Sequence, residues 1–216
     1  MKSSTDDLSD SLAKLDAVFK DIEKEHFKTL SPYGKNAVLK LKEVHQILRK
    51  ETERGCVLVG AAFLDEKLKE LINKVATGSN KAKKELFDAM GPLGSLSAKI
   101  NLAYCFGLIS QEARHDLHTI REIRNKFAHL SVSMSLRDEQ FANKLKNLKL
   151  PAFINLGVMP RLAFTTCVGA IAGEINQAIE ETEQIQARSS TFAALGEEIN
   201  RPTNKMATKR KPYKTE

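Results

Sequence analysis

Arg124, Asn125 and His129 are the residues of this chain whose types and spacing best suit acid–base chemistry. Histidine exchanges a proton near neutral pH, and arginine can hold a phosphate through two parallel hydrogen bonds. This set suits metal-independent RNA cleavage, with His129 as general acid or base, Arg124 on the phosphate and Asn125 positioning the substrate. A structural interpretation stays open, in which His129 caps a helix C-terminus and Arg124 pairs with an acid such as Glu66.

A helix predicted from Ser110 to about His129 must position these groups. Apolar residues fill one of its faces, and a polar stripe runs beside them, made of His118, Glu122, Asn125 and His129. Arg124 and His129 point about 140° apart on an ideal helix. They converge on one ligand if the helix ends early, or meet in two copies across a dimer axis.

The hydrophobic periodicity is helical nearly throughout, which predicts an all-α fold. We expect helices over residues 8–29, 35–54, 56–75, 81–90, 96–109, 110–129, 138–148 and 161–187. A length of 216 residues fits one compact multi-helix bundle with tails. We therefore divide the chain into an N-terminal helical segment (1–30), an all-helical domain (31–188) and a disordered basic tail (189–216).

Small residues mark two places where the chain is expected to turn or pack tightly. Gly60, followed by Ala61 and Ala62, would let a neighbouring helix approach the most apolar helix closely. Gly91–Gly94, GPLG, predicts a turn, after which Ser95 is a suitable N-cap. Ser110 is the predicted N-cap of the next helix.

The positive charge of the chain is concentrated at its C-terminus. The net charge is +7, and residues 201–216 hold six Lys or Arg against one Glu. That tail could contact nucleic-acid phosphates without sequence preference, or serve as a solubilising end. No apolar leader and no membrane-length apolar run is visible, so we expect a cytoplasmic protein with no membrane partner.

Cysteines and isolated histidines give no pattern of a metal or cofactor site. Cys56, Cys105 and Cys167 each lie in an apolar run and are expected to be small buried thiols in a reducing compartment. His45 and His115 stand singly among charged residues and are expected to be exposed. We predict no metal and no cofactor.

Asp65 and Glu66 lie where the apolar helix becomes amphipathic. Adjacent residues point about 100° apart on a helix, so these two acids do not form a catalytic carboxylate pair. One of them is expected to pair with Arg54, Lys99 or Arg124.

The six residues RNKFAH, from Arg124 to His129, resemble the Arg–x4–His motif of the HEPN superfamily. Those all-helical domains are often dimeric RNases. The resemblance implies a HEPN-like fold with Arg124 and His129 at the two catalytic positions and Asn125 at the polar position after the arginine.

A longer stretch, roughly Arg54–His129, resembles the mannitol operon repressor family, most specifically through GPLGSLSAKINLAYCFGLI. That resemblance implies a bacterial repressor of sugar-alcohol utilisation that acts with a protein partner, a transcription factor or DNA-associated protein, rather than through its own DNA-reading motif. A homodimer is expected. The residues predicted to be structural or partner-binding are Asp65, Glu66, Gly91, Pro92, Gly94 and Lys99. The basic C-terminus departs from the family pattern.

The sequence thus predicts a non-enzymatic, mannitol-repressor-like regulator. The alternative is a HEPN-type endoribonuclease or toxin-like relative using Arg124, Asn125 and His129. A third interpretation is a plain dimerisation module.

Overall fold

A computed structural model describes residues 20–129, 134–150 and 159–200, together with residues 13, 16 and 17. The chain divides into two units, Met1–Ile185 and Gln186–Glu216. Residues 201–216, where the basic tail was predicted, lie outside the described residues.

In the described part of the first unit a short π-helix, Ile22–His26, precedes seven α-helices. They are α1 (Pro32–Leu48), α2 (Glu53–Val75), α3 (Asn80–Phe87), α4 (Leu96–Cys105), α5 (Gln111–Phe127), α6 (Glu139–Lys146) and α7 (Pro160–Glu181). The second unit contains α8 (Thr191–Asn200). The described residues contain no strand, which confirms the predicted all-α class.

Hydroxyl side chains define where five of these helices begin. In each case the oxygen accepts a hydrogen bond from the backbone N–H three residues later, a cap worth about 1 kcal/mol. The capping residues are Ser31, Thr52, Ser79, Ser95 and Ser110. The predicted caps at Ser95 and Ser110 are therefore confirmed.

Helices α2 and α7 form the centre of the first unit. Helix α7 packs against α1, α2, α5 and α6, and α2 also packs against α4 and α5. A Cβ on Gly60 would lie 3.1 Å from the ring of Phe164, which confirms the close helix approach predicted there. At Gly169 a Cβ would lie 2.8 Å from the Leu41 side chain, so α1 also reaches α7 closely.

Two predictions about burial are wrong. His45 is buried rather than exposed, because it shares the face of α1 that Leu41, Val44 and Leu48 turn inward. Cys105 is exposed rather than buried. Its helix ends there, four residues before the predicted end, because Gly107 adopts a left-handed conformation (φ 67°) that stops the helix.

Helix α8 falls within the segment predicted to be a disordered tail. Its large apolar side chains Phe192, Leu195 and Ile199 are exposed. Within the described residues, no helix has the length and apolarity needed to cross a lipid bilayer.

Candidate functional site

Arg124, Asn125 and His129 lie together at the C-terminal end of α5, and all three are exposed. Arg124 Nη1 donates a hydrogen bond to Asn125 Oδ1 at 3.2 Å. Arg54, in the first turn of α2, donates from Nη2 to the backbone oxygen of His129 at 2.6 Å. The helix ends at Phe127 with Ala128 as its C-cap, so His129 lies beyond the last helical turn.

The rest of the polar stripe of α5 contacts neighbouring helices. Glu122 accepts a hydrogen bond from Lys144 of α6 at 2.6 Å, and this bond holds the pKa of the Glu122 carboxyl below its usual value. His118 Nε2 lies 3.3 Å from Oδ1 of Asn101 in α4. The stripe therefore fixes α5 between two helices and is not a single open catalytic surface.

Asp65 and Lys99 form an ion pair that joins α2 to α4. Lys99 Nζ donates to Asp65 Oδ1 at 2.6 Å, and the Lys99 side chain is only 5% exposed. Of the three partners predicted for the two acids, Lys99 is the one observed with Asp65. Glu66 points to solvent, with 71% of its side chain exposed, and lies 3.6 Å from Lys69 of its own helix.

The GPLG segment is held against the end of α3. Gly91 N–H donates to Asp88 O at 2.7 Å, and Leu93 N–H donates to Leu86 O at 2.8 Å. A Cβ would lie 2.3 Å from a backbone oxygen at Gly91 and 2.5 Å from one at Gly94, so a side chain at either position would displace the backbone. Pro92 is the exposed member of the segment. Gly91 and Gly94 therefore have a structural role in the turn.

Asp116 is a buried acid that the sequence analysis did not identify. Its carboxyl oxygens accept the backbone N–H groups of Lys149 and Leu150 at 2.9–3.0 Å. The thiol of Cys167 in α7 lies 3.5 Å from Asp116 Oδ2, and burial raises the pKa of that thiol well above its usual value. The sequence signal that could have identified Asp116 is its place on the apolar face of α5, three residues after the buried Ala113.

Two surface grooves run along α2 and α3. A groove of about 580 Å³ is lined by Lys69, Asn73, Asn80, Lys83, Lys84, Phe87 and Asp88. A smaller one of about 250 Å³ is lined by Phe63, Glu66, Lys67, Lys69, Glu70 and Asn73. Neither contains Arg124, Asn125 or His129. No group of three or more His, Cys, Asp or Glu placed to hold a metal ion occurs in the described part of the chain.

The sequence profile of a family described as "Mannitol repressor" matches residues 41–164, more than half of the chain. The protein belongs to the mannitol repressor family. The matched region extends from α1 into the first residues of α7. It includes all the candidate residues, from Asp65 to His129.

Among solved structures, the chain is similar to one from the X-ray structure of the MtlR–HPr complex from Escherichia coli. The TM-score is 0.51 with 19% sequence identity, and the match covers 65% of this chain and 98% of that chain. At this identity the likeness shows that the helical fold is shared. Comparison with curated protein sequences finds no significant match.

Proposed function

We propose that this mannitol repressor family member is a cytoplasmic bacterial regulator that acts through a protein partner of the HPr class. The observation that carries the proposal is the family match over residues 41–164. It is supported by the fold shared with a chain solved in complex with HPr. On this proposal the chain represses transcription by holding or releasing a DNA-associated protein, and does not read DNA itself.

Of the six residues predicted to be structural or partner-binding, Glu66 and Pro92 are available to a partner. Both are exposed, whereas Gly91 and Gly94 are occupied in the turn and Lys99 is buried in its ion pair. The contact that Glu66 would give up is its exposed ion pair with Lys69 at 3.6 Å, and such surface pairs contribute little stability. Glu66 also lines the smaller groove on α2.

The direct test is calorimetric titration of the full chain with purified HPr from the same organism. Saturable binding is expected, and Glu66→Ala or Pro92→Ala should weaken it at least about fivefold if either is a central contact. Glu181→Ala, at the exposed end of α7, is the matched control and should bind normally. Absence of any heat or co-elution with HPr would refute the HPr-class partner.

The transcriptional part of the proposal has its own test. Affinity purification of the tagged chain from native lysate should recover a transcription factor or DNA-associated protein. Recovery of HPr alone would contradict a direct link to transcription. Recovery of neither class would count against the regulator as a whole.

A HEPN-type endoribonuclease is the second candidate, favoured by the exposure of Arg124, Asn125 and His129 at the end of α5. The imidazole of His129 would transfer protons, and Arg124 would bind the scissile phosphate. Purified protein should then cleave total RNA in EDTA, and His129→Ala should lower the rate by about 100-fold or more. Lys126→Ala, on the same helix, is the control. Equal rates for the wild type and His129→Ala would end this candidate.

Self-association and tail binding complete the proposal. Light scattering of the full chain should report a dimer mass.

The six basic residues in 201–216 should give weak nucleic-acid binding that falls steeply with salt. Replacing all six with Gln should remove that binding, and binding that is unaffected would place it elsewhere.

A further inference from the structure

A polar face lies between α4 and α5, on residues with no role in the proposals above. The guanidinium carbon of Arg114 lies 5.0 Å from the ring centroid of Tyr104. Arg114 Nη2 and His118 Nε2 both approach Asn101 Oδ1, at 3.5 and 3.3 Å. Tyr104 and Asn101 of α4 therefore contact the Arg114 guanidinium and the His118 imidazole of α5 and restrict their positions.

Arg121 extends this face by one helical turn. Arg114, His118 and Arg121 are spaced four and three residues apart, so they lie on one side of α5. Arg114 and Arg121 are both partly buried, and the Nε atom of each is buried without a hydrogen-bond partner. Unpaired buried donors are uncommon in folded proteins because they lose the hydrogen bonds that water provides.

The acids nearest to these arginines are paired with other groups. Glu122 is engaged by Lys144 at 2.6 Å, and Asp116 lies 2.9 Å from His115. Among the described residues, no carboxylate forms a salt bridge with Arg114 or Arg121. Both positive charges act on the same imidazole, since Arg121 and Arg114 each lower the pKa of His118, and the Glu122 carboxylate offsets them only in part. An anion bound at this face would therefore be stabilised.

The pKa of His118 reflects the two arginines beside it. Its pKa is lowered from the usual value, first by burial and then by Arg121 and Arg114. His115 lowers the pKa as well, and Glu122 opposes the shift. An anion placed between the arginines would raise that pKa, because it would favour the protonated imidazole.

We propose that this face binds a phosphate group, with Arg114 and Arg121 donating hydrogen bonds to its oxygens and His118 supplying a further donor. Guanidinium groups pair with phosphate through two parallel hydrogen bonds, which suits Arg121, whose Nε is buried without a hydrogen-bond partner. The ligand class is free phosphate or a small phosphate monoester. The residues of this face do not include Arg124, Asn125 or His129.

The test follows the His118 imidazole by NMR in the full chain while inorganic phosphate or glycerol phosphate is added at constant ionic strength. Both probes should cause a saturable shift and raise the pKa of His118 by about one unit. Arg121→Gln and Arg114→Gln should weaken binding at least about tenfold. Arg188→Gln, at an exposed arginine of the second unit, is the matched control and should leave binding unchanged.

A second readout separates loss of the site from loss of the fold. In phosphate-free buffer, Arg121→Gln should raise the pKa of His118, because it removes a positive neighbour. Weaker phosphate binding by Arg121→Gln, together with this rise in the pKa of His118, supports the site. A response that never saturates, that sodium chloride reproduces, or that Arg121→Gln retains at wild-type affinity would overturn it. Saturation by glycerol phosphate but not by inorganic phosphate would identify the monoester as the ligand.

Discussion

Replacing Asp116 with alanine tests how α5, the helix with the candidate residues, is fixed to the rest of the protein. The carboxyl oxygens accept three hydrogen bonds from the backbone N–H groups of Lys149 and Leu150, at 2.9, 3.0 and 2.9 Å. Alanine leaves both donors without their partner. Each unpaired donor costs about 1–3 kcal/mol when it is buried. Because Lys149 is exposed and Leu150 is half-buried, we take about 3 kcal/mol for the two together.

For a chain of this size, a loss of about 3 kcal/mol lowers Tm by about 6–12 °C. Urea unfolding followed by circular dichroism measures the loss directly. Asp116→Asn keeps one acceptor oxygen and should lose about half as much. Glu66→Gln, which removes an exposed charge, should change stability by less than about 1 kcal/mol. If Asp116→Ala unfolds at the same urea concentration as Glu66→Gln, the buried carboxyl does not anchor α5.

Three further predictions concern a buried ion pair, a buried histidine and the exposure of the three thiols. Lys99→Met should destabilise the fold by about 2–4 kcal/mol because it leaves Asp65 without its partner, and adding Asp65→Leu should recover most of that loss in urea unfolding; simple additivity would contradict the ion pair. Burial lowers the pKa of His45, so the native state resists protonation while the unfolded chain accepts a proton. The free energy of unfolding should therefore fall as pH drops below about 6.5, by at most about 1.4 kcal/mol per pH unit, and His45→Gln should remove that part of the pH profile. Cys105 should be the one thiol that reacts with a disulfide reagent in the native protein, with all three reacting in urea; two fast thiols without denaturant would contradict the burial of the others.

The helical content could be predicted because apolar spacing and hydroxyl caps are local signals. Ser95 and Ser110 lie where their helices begin. The boundary between α1 and α2 was harder to place. Arg161 of α7 donates to the backbone oxygens of Leu48 and Glu51, and this distant contact helps fix the turn after Leu48. No local pattern reveals a cap supplied from 110 residues away.

The candidate site was predicted less completely than the fold. Sequence placed Arg124, Asn125 and His129 near the end of one helix, and their exposure follows from that position. It did not reveal Asp116. A single acid on an apolar helix face suggests that the buried face has been assigned wrongly, and its backbone partners come from another segment of the chain. It also gave no reason to join Asn101 of α4 to Arg114, since the two meet only when the helices pack.

Family membership and function depend on different parts of this molecule. The GPLG segment, which carries the most specific sequence resemblance to the family, is a turn in which two glycines lie against backbone oxygens. Such residues fix the fold, so they would be required in any protein that uses it, whatever it binds. Function must then depend on groups that the turn and the core do not use. Substituting the exposed Glu66 and His129 and the partly buried Arg121 one at a time should therefore test partner binding, RNA cleavage and phosphate binding separately without unfolding the protein.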